Sequence, residues 1–405
     1  MNDNKLRIGL FGLGTVGTGF CSVIRMARNA HAEIARICVR DIRKHRTADI
    51  GPALLTDNPE DILGDPEISL VVEVIDDADA AFRIVSEALR RGKAVVSGNK
   101  AMIAHHLPEL IELQHTTGSA LLYDASSCGS IPVIRNLEEY YDNDLLLEVK
   151  GILNGSSNYI LSRVFDHGES YAEALAGAQA RGFAEADPSR DILGYDALYK
   201  LTIITVHALG VYVDPRRLLC RGIADIAESD IAYAREKGMK IKLVAQVVKV
   251  SDDRFIMFVM PEFVAPPKYI YSVDDEYNGV VIRGECYDRQ FMFGKGAGAL
   301  PTASSILSDV MARRHDYRYE YKKMSYLGRP AYTDDVELRV YLRYADPSTV
   351  AGMPFRRIVE SYTSASGVNY VIGDITVAGL IASEAMLNRP DTFVCNVPRF
   401  FLDRD

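Results

Sequence analysis

Residues 6–17 run Leu-Arg-Ile-Gly-Leu-Phe-Gly-Leu-Gly-Thr-Val-Gly. The first seven form a short apolar run, the pattern of a parallel strand buried on both faces. Gly12, Gly14 and Gly17 follow at Gly-x-Gly-x-x-Gly spacing, and a helical pattern continues to about residue 28. Between strand and helix, such glycines permit a tight turn, close approach of a pyrophosphate and close helix packing. The helix N-terminus then faces the phosphates. Gly12, Gly14, Thr15, Val16 and Gly17 are the expected cofactor-binding turn.

Outward from this turn, a second strand over 34–39 ends in Val39-Arg40-Asp41. A strand-end acid takes the ribose 2′-hydroxyl of NAD, whereas a guanidinium accommodates the 2′-phosphate of NADP. Arg40, with Arg43 and Lys44 behind it, points to NADP; Asp41 as the ribose acid points to NAD. Apolar strands over 69–75, 94–97 and 120–123 alternate with helices over 79–92 and 107–114. Repeated βα units of this kind build an α/β, doubly wound parallel (Rossmann) sheet. We expect a dinucleotide-binding domain over 1–130, completed by 295–315. Ligands meet such sheets at the C-terminal strand ends, where Ser-Gly-Asn-Lys (97–100) sets Ser97 and Lys100.

From residue 131 the pattern becomes mixed. Helix 132–141 and strand 145–153 precede Asn-Gly-Ser-Ser-Asn-Tyr (154–159), which opens another helix. Ser156 and Ser157 there can cap or donate. Long alternating segments follow at 240–250, 254–264 and 280–293. An α+β substrate and dimerisation domain over 131–294 is expected. The glycine-rich stretch 294–303 lacks the Ser or Thr of a P-loop, and a loop of this kind can close over the cofactor. Residues 314–334 read as a charged, Tyr-rich linker. The tail, 335–405, reads as strand, helix over 354–362, strand and more: a small βαβ-type regulatory module.

Residues 182–200 concentrate charge. Glu185, Asp187, Asp191, Asp196 and Lys200 fall within Gly-Phe-Ala-Glu-Ala-Asp-Pro-Ser-Arg-Asp-Ile-Leu-Gly-Tyr-Asp-Ala-Leu-Tyr-Lys. On a helix over 191–210, Asp196 and Lys200 share one face. Asp191 falls in its first turn, where the dipole favours a carboxylate. An ammonium beside several acids suits a substrate that carries an amino group and exchanges a proton; the bland alternative is a solvated helix pair.

Composition sets limits. The 405 residues are 48% hydrophobic and 25% charged, values of an ordinary globular chain long enough for two or three domains. A net charge of -9 disfavours nucleic acid or an anionic membrane as partner. No apolar run is long enough to span a bilayer, and the N-terminus lacks a signal-peptide pattern. Six scattered cysteines without a Cys-x-x-Cys pair read as reduced thiols of a cytoplasmic protein.

Five segments together resemble homoserine dehydrogenases: Gly-Leu-Gly-Thr-Val-Gly (12–17), Ser-Gly-Asn-Lys-Ala (97–101), Tyr-Asp-Ala-Ser-Ser-Cys-Gly-Ser-Ile-Pro (123–132), Gly-Ile-Leu-Asn-Gly-Ser-Ser-Asn-Tyr-Ile-Leu (151–161), and 182–200. The loop at 296–303 also fits, so the resemblance covers about 1–315. It implies reversible, NAD- or NADP-dependent reduction of L-aspartate 4-semialdehyde to L-homoserine, a step toward threonine and methionine. It implies catalytic roles for Lys200, Lys100 and Asp196, with both lysines flanking the reacting oxygen. Glu185, Asp191, Gly155 and Ser156 would bind the substrate. Arg40, Ser97, Lys100, Gly298 and Thr302 would join the glycine turn around the cofactor. Sodium would be held by backbone carbonyls of Asp124, Ser127, Gly129 and Ile131. A homodimer or larger homo-oligomer is implied, and a tail degenerate relative to the amino-acid-binding ACT domain.

There are departures. Asp76-Asp77 stands where the family usually has Gly-Gly, and Asp124 and Ser127 replace a glutamate and a valine. The Asp76-Asp77 pair motivates an alternative, a nucleotide-binding regulatory protein without turnover. A dehydrogenase for a related hydroxy amino acid or aldehyde is the other.

Overall fold

The parallel strands line up as the glycine turn implies. Strands β1 (Leu6–Phe11), β2 (Ala32–Cys38), β3 (Leu55–Thr56), β4 (Leu70–Glu73), β5 (Ala94–Ser97) and β6 (Leu121–Leu122) form one sheet in the order β3-β2-β1-β4-β5-β6. Every pairing in it is parallel. The strand order reverses between β1 and β4, so a crevice opens beyond their C-terminal ends. The computed structural model describes residues 5–27, 29–43, 50–184, 187–364 and 367–398. Glu185 and Lys44 lie outside the described residues.

The chain divides into two units. One comprises 1–142, 202–212 and 294–325; the other comprises 143–201, 213–293 and 326–405. In the first, Ile8, Leu10, Leu70, Val71, Val72, Val95 and Val96 are fully buried, which is what covering both sheet faces requires. Helix Ala299–Arg313 packs on helix Thr15–Met26 so closely that a Cβ on Gly19 would lie 2.4 Å from the Ala299 carbonyl oxygen.

Two sequence readings fail in this unit. The helix expected from residue 107 begins at Lys100 and runs to Thr117, with Pro108 inside it. Proline cannot donate to the carbonyl four residues back. The Tyr212 hydroxyl donates to that Ala104 oxygen instead, at 3.0 Å. The expected linker at 314–334 is partly core: Tyr319 and Tyr321 are buried. Gln114 donates to the Tyr319 carbonyl at 2.7 Å, and the Tyr321 and Tyr123 hydroxyls lie 3.0 Å apart.

The second unit is built on an 11-stranded mixed sheet. Its strands are β7 (Leu146–Ile152), β8 (Leu219–Cys220), β9 (Lys240–Ser251), β10 (Arg254–Val264), β11 (Tyr277–Gly284), β12 (Asp288–Lys295), β13 (Ala331–Tyr332), β14 (Glu337–Tyr344), β15 (Arg357–Thr363), β16 (Asn369–Thr376) and β17 (Phe393–Asn396). The order is β12-β11-β7-β9-β10-β17-β14-β16-β15, with β8 and β13 also on β10. The tail therefore continues the sheet, with β17 pairing β10 at Glu262 and Asn396. Its own order is β-α-β-β-α-α-β with antiparallel pairings, a split-βαβ arrangement in which two short helices precede the last strand. Residues read as a helix over 354–362 are mostly β15, an edge strand exposed along its length. Buried Arg343 ties the tail to its unit by pairing with Asp230 at 3.0 Å.

Candidate functional site

Gly12 ends β1 at φ +98, and a Cβ there would lie 2.8 Å from the Val74 carbonyl oxygen. A Cβ on Gly17 would lie 2.2 Å from the Gly12 oxygen. Both positions exclude a side chain, whereas Gly14, at the N-cap of helix Thr15–Met26, faces open space. The turn thus leaves room at the helix N-terminus, where unpaired N–H groups favour a phosphate. Arg40 is exposed just past β2, with Asp41 beside it. Gly298, at φ +121, is the N-cap of helix Ala299–Arg313, and Thr302 lies in that helix's first turn.

Asp77 has a structural job. Its carboxylate accepts the Ala80 N–H at 2.9 Å and caps helix Ala78–Arg90. An acid is favoured at that position by the same physics that favours phosphate at Gly14. Asp76 and Asp77 are both exposed.

Ser97 is fully buried, and its hydroxyl donates to Glu73 Oε2 at 2.6 Å. Its side chain is thereby committed to the protein. Lys100 is the first residue of its helix, capped by Asn99, and is half-buried.

In the second unit the expected long helix is broken. Asp191 belongs to a short helix, Ser189–Ile192; Gly194 at φ +90 interrupts it, and helix Tyr195–Leu209 starts afresh. Asp191 is therefore not in the first turn of the Lys200 helix. The i,i+4 pair does form: Lys200 Nζ lies 2.8 Å from Asp196 Oδ2. Lys200 is 4% exposed and Asp196 2%, which removes the reading as a solvated pair. Lys200 also donates to the Leu153 carbonyl at 2.7 Å. An ammonium has three donors, so one N–H has no partner among the described residues.

Asn154 joins this cluster. Its side-chain amide donates to Asp191 Oδ1 at 2.7 Å and to Asp196 Oδ2 at 2.9 Å. Its side-chain oxygen accepts the Ser157 N–H at 2.8 Å, capping helix Gly155–His167. The rest of the motif follows. A Cβ on Gly155 would lie 2.6 Å from the Glu276 carbonyl oxygen. Ser156 donates to the Phe183 carbonyl at 2.5 Å, tying down the chain just before the acidic loop. Asn158 donates to the carbonyls of Val273, Asp275 and Tyr277, and Tyr159 packs on Phe183 at 4.8 Å between ring centroids. Asn278 shares the Leu153 carbonyl with Lys200, at 3.0 Å.

The 124–131 segment is buried. Asp124 Oδ1 accepts the N–H groups of Ile134 and Arg135, and the Asp124 N–H donates to Asp309 at 3.0 Å. Burial raises both carboxyls, and Arg135 opposes the rise. The Ser127 hydroxyl is buried without a hydrogen-bond partner. The carbonyls of Asp124 and Ile131 each already accept a backbone N–H, and Gly129 takes φ +54. Among the described residues no cluster of three or more His, Cys, Asp or Glu side chains could hold a metal.

Sequence reading missed Asn154, Asn278 and Glu73 as site residues. Asn154 had a signal: an Asn directly before Gly-Ser-Ser is a helix cap. Glu73 had none, because a lone acid ending an apolar strand reads as the first solvent-facing residue.

Known proteins resemble this chain over most of its length. The family model described as homoserine dehydrogenase matches residues 132–311, and that of its NAD-binding domain matches 12–124. A homoserine dehydrogenase of Bacillus subtilis is 31% identical over 360 residues, 87% of this chain and 81% of that protein. One from Synechocystis is 36% identical over 76% of this chain and 72% of its own length. The crystal structure of a homoserine dehydrogenase from Thiobacillus denitrificans superposes with TM-score 0.81 at 28% identity, covering 97% of this chain and 98% of the other.

Proposed function

The chain belongs to the homoserine dehydrogenase family, NAD(P)-dependent oxidoreductases acting on a small-molecule substrate, and on that premise we propose how its residues divide the work. Bound nicotinamide supplies or accepts the hydride exchanged with the carbon that is an aldehyde in L-aspartate 4-semialdehyde and an alcohol in L-homoserine. Gly12, Gly14, Thr15, Val16 and Gly17 hold the pyrophosphate, with Arg40, Gly298 and Thr302 as further contacts. The open space at Gly14 supports this fit.

The observation that carries the substrate reading is the buried Lys200 ammonium, one of whose N–H groups has no partner among the described residues. Reduction builds negative charge on an oxygen, which needs a cation and a proton. Lys200 is the donor in this reading, and Lys100 supplies the second positive charge. Asp196 orients Lys200, since Asp196 and the Leu153 carbonyl together fix the ammonium. Asp191, Gly155 and Ser156 form the substrate-binding set, with Glu185 expected to receive the amino group. Buried charged pairs often add little net stability, so the burial of this pair fits a catalytic role better than a structural one.

Sodium is proposed at the carbonyls of Asp124, Ser127, Gly129 and Ile131, where it would brace the loop. A homodimer or larger assembly in the cytoplasm is also proposed. Exposed Tyr269, Phe291 and Phe293 support an associating surface, and among the described residues no helix is long and apolar enough to cross a membrane.

The test is purified protein with L-homoserine and NADP or NAD, followed by the absorbance of the reduced nicotinamide, beside a panel of related alcohols. Turnover of L-homoserine above the panel supports the assignment. No turnover with either cofactor would leave the nucleotide-binding alternative standing.

A further inference from the structure

Lys100 occupies the first position of its helix, where the dipole disfavours a cation. A closed ring of hydrogen bonds fixes that turn. Glu73 Oε1 accepts the Ile75 N–H at 2.7 Å. The Ile75 carbonyl accepts from Asn99 Nδ2 at 2.9 Å. The Asn99 N–H donates to Ser97 Oγ at 3.1 Å, and Ser97 closes the ring on Glu73 Oε2 at 2.6 Å. Asn99 Oδ1 accepts the Met102 N–H at 3.0 Å and caps the helix. The Gly98 N–H donates to the Glu73 carbonyl at 3.0 Å.

Glu73 is an odd choice for the core. It is fully buried, as are Leu70, Val71 and Val72 before it on β4. Among the described residues no Lys, Arg or His pairs with it. A buried carboxylate held by neutral donors alone is costly, and an apolar residue would fill the place more cheaply. The ring also borders the nucleotide turn: the Val74 carbonyl is the group that excludes a side chain from Gly12, and a Cβ on Gly17 would lie 3.4 Å from Val74 Cγ2.

We propose that Glu73 is a positioning residue for this dehydrogenase: through Ser97 and Asn99 it fixes the helix turn that carries Lys100, and through Ile75 the corner beside the glycine turn. The proposal rests on the role assigned to Lys100. The carboxylate accepts two hydrogen bonds at once, which no apolar or singly accepting residue does in its place. Burial pushes the Glu73 carboxyl up to about 7, and Asp76 adds in the same sense. Ser97, Asn99 and Ile75, the other groups facing it, are neutral. Below that value the acid donates to Ser97 Oγ instead of accepting from it, so the Ser97 hydroxyl loses its acceptor and the ring loosens.

The test is Glu73→Gln in the full chain, assayed beside wild type with L-homoserine and NADP or NAD. The amide is nearly the same size but can only donate to Ser97 while it accepts from Ile75, which leaves the Ser97 hydroxyl without its acceptor. We expect kcat to fall about tenfold or more, KM for L-homoserine to stay within about twofold, and the acid limb of the wild-type kcat profile near neutrality to vanish. Thermal stability at alkaline pH should be equal or higher. A merely structural role predicts that activity and stability fall together. That result, or wild-type kcat in folded Glu73→Gln, overturns the proposal. Should Glu73→Gln fail to fold, Ser97→Ala removes the two ring bonds made by its hydroxyl, to Glu73 and from Asn99; the same kcat loss with unchanged KM for the cofactor supports the proposal, and an unchanged kcat overturns it. Wild-type turnover separates the two ideas: without it the enzymatic reading fails and takes the proposal with it, whereas an active wild type with an indifferent variant sinks the proposal alone.

Discussion

Asn154 donates to Asp196 Oδ2 at 2.9 Å, the same oxygen that faces Lys200 at 2.8 Å. One neutral amide thus holds the Lys200–Asp196 ion pair while its second hydrogen holds Asp191. Removing it leaves two carboxylates with a lost donor and a helix without its cap. Asn154→Ala should lower stability by about 1–3 kcal/mol, measured by urea unfolding. It should also raise KM for L-homoserine by roughly tenfold or more. An unchanged KM would mean that Asp191 is not held for substrate.

Lys200→Met should lower kcat by about two to four orders of magnitude, the usual scale for an acid–base group. It should also cost about 3–5 kcal/mol, because Asp196 would keep a buried charge without the ammonium that faces it. Stability is expected to return in Lys200→Met with Asp196→Asn, while activity stays lost. Recovery of both in the double variant would show that the pair is structural only.

The glycine turn and the acid-rich stretch were legible because each is local. Gly12, Gly14 and Gly17 sit between one strand and one helix, and Asp196 and Lys200 are one helical turn apart. Failures came where distant partners decide. Phe355, Ile358, Val359 and Tyr362 have helical spacing, yet residues 357–363 form an edge strand. Their apolar side chains do not mark a buried face, and pairing with β16 sets the conformation. The helix read over 107–114 begins instead at Lys100, and Tyr212, far along the chain, satisfies the carbonyl that Pro108 leaves open. Glu73 was silent for the same reason: its meaning lies in Ser97 and Asn99 on the next βα unit.

Gly155→Ala tests a close approach. The added methyl would meet the Glu276 carbonyl oxygen at 2.6 Å, and backbone cannot swing aside as a side chain can. A loss of about 1–3 kcal/mol is expected. Because Asn154 precedes it, KM for L-homoserine should rise as well. A variant with wild-type unfolding midpoint and KM would show that the turn has slack.

Arg40→Ser addresses the cofactor. If the guanidinium reads a 2′-phosphate, KM for NADP should rise about tenfold with KM for NAD little changed. An equal change for both cofactors would assign the ribose instead to Asp41.

Stability against pH isolates the cost of Glu73. Its folded value of about 7 lies above the ordinary 4.5. Between those values the folded state binds the proton more tightly than the unfolded state, so ionisation opposes folding. The contribution is fully favourable below 4.5 and is lost as pH rises through 7. The loss amounts to about 3 kcal/mol. Glu73→Gln lacks this titration, so the stability of wild type relative to the variant should decline by that order between mildly acidic and mildly alkaline buffer. Taking the difference between the two proteins cancels Asp124 and Asp309, whose raised carboxyls slope the same way in both. Parallel stability curves across the range would show that Glu73 ionises as an ordinary carboxyl and that its burial carries no penalty.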